Sequence, residues 1–225
     1  MNSLRAAVIV FPGSNCDKDA YFALKTNGFK VQYVWHDFSK MLDYDLIFIP
    51  GGFSYGDYLR VGALARFSPV MNSVEKYVLK KRGLIIGVCN GFQILTEAGL
   101  LPGALTVNTS HRFICRDIDL KIVNNKTPFT NSINKKIIRL PIAHKYGRFF
   151  ALKKDIAEDQ IVLRYVENPN GSFEDIAGIV NKDMNVFGLM PHPERACTQI
   201  LKNEDGNYIF RSIRRYLTSE QFVRN

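Results

Sequence analysis

Short apolar segments along this chain alternate with segments whose apolar residues recur at helical spacing. The apolar segments have the length of strands buried on both faces, and helical patterns separate the first of them. This alternation predicts an α/β fold, in which helical crossovers join parallel strands. The predicted strands are 4–11, 30–35, 45–50, 84–88, 175–180 and 186–190, and the predicted helices are 17–27, 69–81, a segment ending at 99, and 208–217.

The pattern changes between residues 104 and 166. Short strand-like runs at 112–123 and 137–142 are broken by polar turns rather than by helices. We interpret this stretch as antiparallel strands added beside an open, mostly parallel sheet with helices on both faces. A chain of 225 residues fits one large domain, so a single domain over residues 1–225 is expected.

One strand-to-helix junction carries a candidate nucleophile. The apolar run 84–88 ends at Cys89, a helical pattern follows, and Gly87 and Gly91 flank the cysteine. This is the arrangement of the G-x-S-x-G nucleophile elbow with a thiol in place of the hydroxyl, and its strained turn needs small neighbours. The N-terminus of the helix also favours a negative charge on the sulfur. The alternative is a buried cysteine that acts as a small hydrophobic residue, but the paired glycines favour a nucleophile.

A glycine-rich loop follows the third predicted strand, beginning Pro50-Gly51-Gly52. It lacks the Gly-Lys-Ser/Thr ending of a phosphate-binding loop, so we discount a nucleotide site there. Open α/β sheets bind ligands at the carboxyl ends of their strands. The backbone N–H groups of Gly52 and Asn90 are therefore candidates to hold a developing oxyanion, with a tight turn that requires glycine as the alternative.

A histidine and a carboxylate, His192 and Glu194, follow the last apolar strand, with prolines before and between them. The prolines favour an extended backbone that puts both side chains on the same side. Glu194 can then orient the imidazole and leave its other nitrogen for the thiol proton. The other histidines, His36, His111 and His144, are more simply structural, although the last two lie in polar stretches that can edge a pocket.

Composition narrows the classes of function. The formal charge of +9 raises the question of nucleic-acid binding, but the basic residues are dispersed and no nucleic-acid motif accompanies them. A solvated basic face, with short groups at 80–82 and 211–215, or an acidic protein partner is favoured. The four scattered cysteines predict neither a disulfide nor a zinc site. No membrane span or secretory segment is apparent, so a cytoplasmic location is expected.

The motifs resemble those of a known family. The segments 87–93, 50–52 and 192–194 resemble the triad (class I) glutamine amidotransferases in order and spacing. More narrowly, the segments 11–17, 51–60 and 96–105 resemble the small glutaminase subunits of phosphoribosylformylglycinamidine synthase. The resemblance covers nearly the whole chain. It implies the flavodoxin-like, doubly wound sheet of the class I glutaminases.

The resemblance also implies that glutamine hydrolysis and amidine synthesis take place on different subunits. This subunit would hydrolyse L-glutamine through a γ-glutamyl thioester on Cys89 and would contain no metal or other cofactor. The ammonia would pass to a large PurL-type synthetase, which uses ATP and magnesium to convert formylglycinamide ribonucleotide to its amidine, and a small PurS-type subunit would bridge the two. By position, Gln93 would contact the glutamine substrate, and a segment with Asn108 and Ser110 would recognise its amino-acid end.

Two positions depart from the family pattern. The family usually has Gly-Glu where this chain has Lys145-Tyr146, so no family contact is assigned to either residue. The contacts with the synthetase near these two residues can differ from those of the family. Two other interpretations remain open. One is a cysteine hydrolase that acts alone on another small amide, and the other is a basic scaffold subunit without activity.

Overall fold

The computed structural model describes residues 3–80 and 83–224, and these ranges contain four helices and eleven strands. The strands are β1 (Arg5–Val10), β2 (Lys30–Trp35), β3 (Leu46–Ile49), β4 (Leu84–Val88), β5 (Ala104–Thr106), β6 (Ile114–Ile122), β7 (Ile137–His144), β8 (Arg148–Phe150), β9 (Ile161–Tyr165), β10 (Ile176–Val180) and β11 (Val186–Leu189). The helices are α1 (Asp17–Thr26), α2 (Pro69–Leu79), α3 (Asn90–Glu97) and α4 (Asn207–Arg224).

Nine strands form one sheet in the order β2-β1-β3-β4-β11-β10-β9-β6-β7. The first five strands in this order, which are β2, β1, β3, β4 and β11, pair in parallel. The remaining four continue the sheet with antiparallel pairings. Strands β5 and β8 form a separate antiparallel pair. The predicted α/β fold, a parallel core with an added antiparallel region, is confirmed.

Helices cover the central strands, as their apolar sequences require. β3 and β4 are buried along their whole length. Helix α4 packs Phe210 against Phe48 of β3 with ring centroids 6.3 Å apart, while Arg211, Arg214 and Arg215 stay exposed. The predicted basic amphipathic helix is therefore confirmed.

The ends of two helices differ from the prediction. Helix α2 ends at Leu79 rather than at 81, and Lys81 and Arg82 of the predicted basic group lie outside the described residues. Helix α4 continues beyond its predicted end at 217. None of the helices within the described ranges combines the length and apolar character needed to cross a membrane.

Four neighbouring strands end at the edge of the sheet that carries the candidate chemistry. β1, β3, β4 and β11 are consecutive and parallel, so the loops at their carboxyl ends meet. These loops contain Cys16, Gly52, Cys89 and His192, respectively. Because β11 inserts directly beside β4, the segment with His192 lies next to Cys89 despite the long stretch of chain between them.

Candidate active site

Cys89 occupies a strained turn between β4 and α3. Its φ of 51° and ψ of −106° are rarely adopted by a residue with a side chain. The turn leaves no space at its flanks. A Cβ added to Gly91 would lie 2.0 Å from the carbonyl oxygen of Ile49, and one added to Gly87 would lie 2.4 Å from Leu95 Cδ1. The prediction that both flanking positions need glycine is therefore confirmed.

We expect Gly91→Ala to lower the free energy of unfolding by about 3 kcal/mol, because the methyl group would collide with the backbone of a central strand. Gly99→Ala is the matched control. Gly99 also has a positive φ, +69°, but nothing lies within 4 Å of its Cβ position. Gly99→Ala should lower the free energy of unfolding by about 1 kcal/mol, which is the cost of the left-handed conformation alone. Urea denaturation measures both variants, and equal losses would contradict the close contact at Gly91.

His192 and Glu194 form a buried hydrogen-bonded pair after β11. They are 1% and 3% exposed, and His192 Nδ1 lies 2.6 Å from Glu194 Oε1. The predicted extended backbone is wrong beyond His192, because Pro193–Arg195 form a 3₁₀ turn. The fixed φ of proline suits the first position of such a turn. The turn, rather than an extended chain, brings both side chains to the same side.

Opposing effects set the protonation of His192. Burial disfavours the charged imidazolium and lowers the pKa. The charge of the Glu194 carboxylate, followed by the interaction with the Cys89 sulfur, outweighs burial and raises the pKa of His192 to about 10. His192 can therefore hold a proton beside Cys89 at physiological pH.

Cys89 and His192 border the same small space next to Gly51. A Cβ added to Gly51 would lie 2.8 Å from His192 Cε1 and 3.4 Å from Cys89 Cβ. His192 Nε2 is buried and has no other hydrogen-bonding partner within the described ranges, so it can hold the proton that the Cys89 thiol gives up. With Glu194 behind the imidazole, the structure brings together a thiol, an imidazole and a carboxylate, the groups that a nucleophile, a base and an orienting residue require.

The two candidate oxyanion donors lie on adjoining segments. Gly52 lines the cleft that contains Cys89 and has a φ of 138°, which glycine adopts without strain. Asn90 is the first residue of α3, so its backbone N–H has no acceptor within the helix. The Asn90 side chain accepts a hydrogen bond from the Ser54 N–H at 3.2 Å and donates one to Gln93 Oε1 at 2.9 Å. These bonds tie the glycine-rich loop to α3 and fix both donors relative to Cys89.

Comparison with known proteins assigns the family. Residues 3–217 match the CobB/CobQ-like glutamine amidotransferase domain. The chain belongs to this glutamine amidotransferase family. It is 53% identical to the PurQ subunit of phosphoribosylformylglycinamidine synthase from Pseudothermotoga lettingae, over 95% of this chain and 96% of that protein. It is 54% identical to the PurQ subunit from Thermotoga maritima, over 95% of this chain and 98% of that protein.

A solved structure extends the likeness to three dimensions. The amidotransferase chain matches a chain in the structure of PurLQS from Thermotoga maritima with a TM-score of 0.90 and 52% identity, over 96% of this chain and 100% of that chain. The resemblance to PurQ-type glutaminase subunits that the motifs indicate is therefore confirmed.

The amidotransferase cleft has a volume of about 440 Å³, and Gln93 lines it beside Cys89. The amide of Gln93 is already engaged. Its Nε2 donates to the Tyr146 carbonyl oxygen at 2.6 Å, and its Oε1 accepts from Asn90. Gln93 thus holds the segment 144–147 against α3, and its contact with a substrate stays a prediction.

Asn108 and Ser110 do not line the cleft of this amidotransferase. Asn108 is fully buried, donates to the carbonyl oxygens of Arg112 and His144 at 2.9 and 3.0 Å, and accepts from the Gly147 N–H at 3.1 Å. Ser110 Oγ accepts from the Arg112 N–H at 3.3 Å. Asn108 satisfies the backbone of a buried loop, and the predicted contact of these two residues with the amino-acid end of the substrate is not supported by their placement.

Cys16 is a cleft residue that the sequence did not single out, although it follows β1 at the same edge of the sheet. Arg195 Nη2 donates to its Sγ at 3.1 Å, and Arg195 is held in turn by Asp19 at 3.0 Å. Burial, followed by the charge of Glu194, raises the pKa of the Cys16 thiol to about 12. Possible ligand atoms of Cys16, His192 and Glu194 lie within 4.8 Å of one another. The Cys16 sulfur already accepts from Arg195, and Glu194 Oε1 is already bonded to His192 Nδ1, so we assign no metal to this cluster.

His144 also lines the cleft. It is 3% exposed, and neither ring nitrogen has a hydrogen-bonding partner among the described residues. Burial, followed by the charge of His192, lowers its pKa to about 4, so the ring is neutral at physiological pH. Lys145 and Tyr146, which depart from the family pattern, continue the cleft wall, with Lys145 Nζ 5.9 Å from the Tyr146 ring centroid.

Proposed function

We propose that this chain is the glutamine-hydrolysing subunit of phosphoribosylformylglycinamidine synthase. The observation that carries the proposal is the meeting of Cys89 with His192, whose Nδ1 lies 2.6 Å from Glu194. The identity to PurQ subunits supports the choice of this synthase among amidotransferase complexes. Residues 1–225 would act as one glutamine amidotransferase domain without a metal or other cofactor of their own.

The proposed reaction hydrolyses the side-chain amide of L-glutamine. With its proton already held by His192 Nε2, Cys89 Sγ attacks the amide carbon, and the N–H groups of Gly52 and Asn90 hold the oxyanion. His192 returns the proton to the leaving nitrogen, and ammonia departs from a γ-glutamyl thioester. Water then loses a proton to His192 and cleaves the thioester, which releases glutamate and restores the thiol. Gln93 contributes to the wall against which the substrate binds.

The ammonia would be consumed by a partner. The match to a chain of PurLQS supports assembly with a PurL-type synthetase and a PurS-type bridging subunit. The assembly would be cytoplasmic. ATP and magnesium would bind to the synthetase, which forms the amidine. Phe53, Tyr58 and Leu59 follow Gly52 and are 50%, 74% and 85% exposed. These apolar side chains near the cleft offer a surface to a protein partner.

The isolated subunit should be a poor glutaminase, and its partners should increase glutamate release about tenfold or more, within the usual range of coupling between sites. The loop with Gly52 continues into the exposed Phe53, so a partner bound at Phe53 would act directly on the segment that carries the Gly52 donor. The test measures glutamate release by the subunit alone, with the PurL-type and PurS-type subunits, and with formylglycinamide ribonucleotide and ATP added.

Each alternative function predicts a different result in this assay. Vigorous hydrolysis without any partner, and no copurification with a synthetase, would favour a cysteine hydrolase that acts alone. A complex that assembles but never releases glutamate would favour a scaffold subunit without activity.

A further inference from the structure

Asp57 is a carboxylate in the cleft that the reaction above does not use. Among the described residues that line the cleft, it is the one acidic side chain. Its Oδ1 is buried without a hydrogen-bonding partner in the described part of the chain. Burial raises its pKa to about 6. Asp57 as a whole is only partly buried, but a buried carboxylate oxygen without a partner is unfavourable, which points to a ligand that supplies a donor to Oδ1.

The backbone around Asp57 is strained and anchored. Tyr55, Gly56 and Asp57 have φ values of 52°, 67° and 55°. Such conformations are unfavourable for residues with side chains and persist only where the surroundings fix them. The Ser54 N–H donates to Asn90 Oδ1, which ties the loop to the nucleophile elbow. These constraints hold the carboxylate in the cleft.

The segment after Asp57 packs directly on α3, the helix that begins after Cys89. A Cβ added to Gly62 would lie 2.9 Å from the Ile94 backbone nitrogen, so the two backbones are in close contact. Arg60 forms an ion pair with Glu97, at the end of α3, with an N–O distance of 2.6 Å. Asp57 therefore has a fixed position relative to the nucleophile.

We propose that Asp57 binds the α-ammonium group of the glutamine substrate. This inference rests on the proposed function and deepens it. A primary ammonium carries one positive charge and three donors, so it supplies the partner that Oδ1 lacks. The cleft wall also contains the cations Lys145 and Arg195, which suit the α-carboxylate of an amino acid. The cleft thus presents both charges that a zwitterionic amino acid requires.

The test compares glutamine with glutaramate, which is glutamine without its α-amino group, in the assembled synthase. The wild-type complex should prefer glutamine in kcat/KM by about 10- to 100-fold, the scale of a hydrogen bond between charged groups. Asp57→Asn keeps the size of the side chain, and asparagine tolerates a positive φ. This variant should lower kcat/KM for glutamine by the same factor, chiefly by raising KM, and should leave kcat/KM for glutaramate unchanged.

Asp43→Asn is the matched control, because Asp43 is exposed, pairs with Arg5 at 3.1 Å and does not line the cleft. It should keep the preference for glutamine. A preference that survives Asp57→Asn overturns the proposal. The proposal is also overturned if Asp57→Asn has an unchanged KM but fails to bind the synthetase. That result is expected if Asp57 pairs with a cation of the partner. A wild-type complex that hydrolyses no glutamine overturns the proposed function together with this inference.

A second measurement needs no variant and decides the matter if Asp57→Asn does not fold. L-glutamate keeps the α-ammonium group and glutarate lacks it. In the wild-type complex, L-glutamate should protect Cys89 from alkylation at concentrations about 10- to 100-fold lower than glutarate. Equal protection by the two ligands overturns the proposal.

Discussion

In the assembled synthase, Cys89→Ala is expected to reduce glutamine-dependent synthesis about 10⁴-fold or more, while synthesis from added ammonia continues. Alanine cannot form a γ-glutamyl thioester, so no ammonia is released from glutamine. The synthetase site lies in another subunit in the proposed complex, and the truncation removes only the sulfur from a residue that is 6% exposed. Amidine formation is measured with glutamine and with an ammonium salt as alternative nitrogen sources.

The ammonia reaction is the internal control for this substitution. If both nitrogen sources failed, the defect would lie in assembly rather than in glutamine chemistry, and the size of the complex would be checked. If Cys89→Ala still released glutamate at the wild-type rate, Cys89 would not be the nucleophile.

Features that depend on neighbouring residues could be predicted from the sequence. The elbow at Cys89 is one, because an apolar strand, two flanking glycines and a helical pattern all lie within a short segment. The pairing of His192 with Glu194 is another, since two residues of separation limit where the carboxylate can reach. The backbone was harder to predict than the contact, because a proline suits both an extended chain and the start of a 3₁₀ turn.

Features that depend on strand order could not be predicted. The pattern of apolar residues marks β11 as a strand but does not say that it inserts between β4 and β10. That insertion brings His192 to Cys89, and the order of β1 and β3 brings Cys16 and Asp57 to the same cleft. Sequence motifs suggested that distant residues meet, while only the sheet explains how.

A residue's place in a family motif does not show whether its polar side chain is free to contact a substrate. Asn108 is polar and lies in an irregular segment, which is typical of a binding residue. Its three hydrogen bonds instead go to the backbone of residues 112, 144 and 147. Asp57 shows the opposite pattern, because its loop provides no partner for a buried oxygen. The useful distinction is whether a buried polar atom is already satisfied by the protein, and that requires the folded structure.

Glu194→Gln should lower kcat for glutamine hydrolysis about 10³- to 10⁴-fold, although the side chain keeps its shape. Burial lowers the pKa of His192, and the charge of Glu194 is the main effect that opposes burial. Without that charge, burial dominates and the imidazole becomes neutral near pH 7. The side-chain amide introduced by Glu194→Gln can also donate a hydrogen bond to His192 Nδ1. The ring proton would then lie on Nε2, the nitrogen that would have to accept the Cys89 proton.

The pH dependence of Cys89 alkylation by iodoacetamide distinguishes this loss of charge from a loss of position. In the wild type, the imidazolium beside Cys89 persists as the pH rises towards the His192 pKa of about 10, so its positive charge stays next to the sulfur throughout the neutral range. In Glu194→Gln the imidazolium is lost at lower pH, so alkylation near neutral pH should be slower than in the wild type and the profile should change shape. Glu167→Gln, an exposed carboxylate outside the cleft, should follow the wild-type profile. A Glu194→Gln profile of wild-type shape, with kcat still reduced, would mean that Glu194 acts by holding the ring in place and not through its charge.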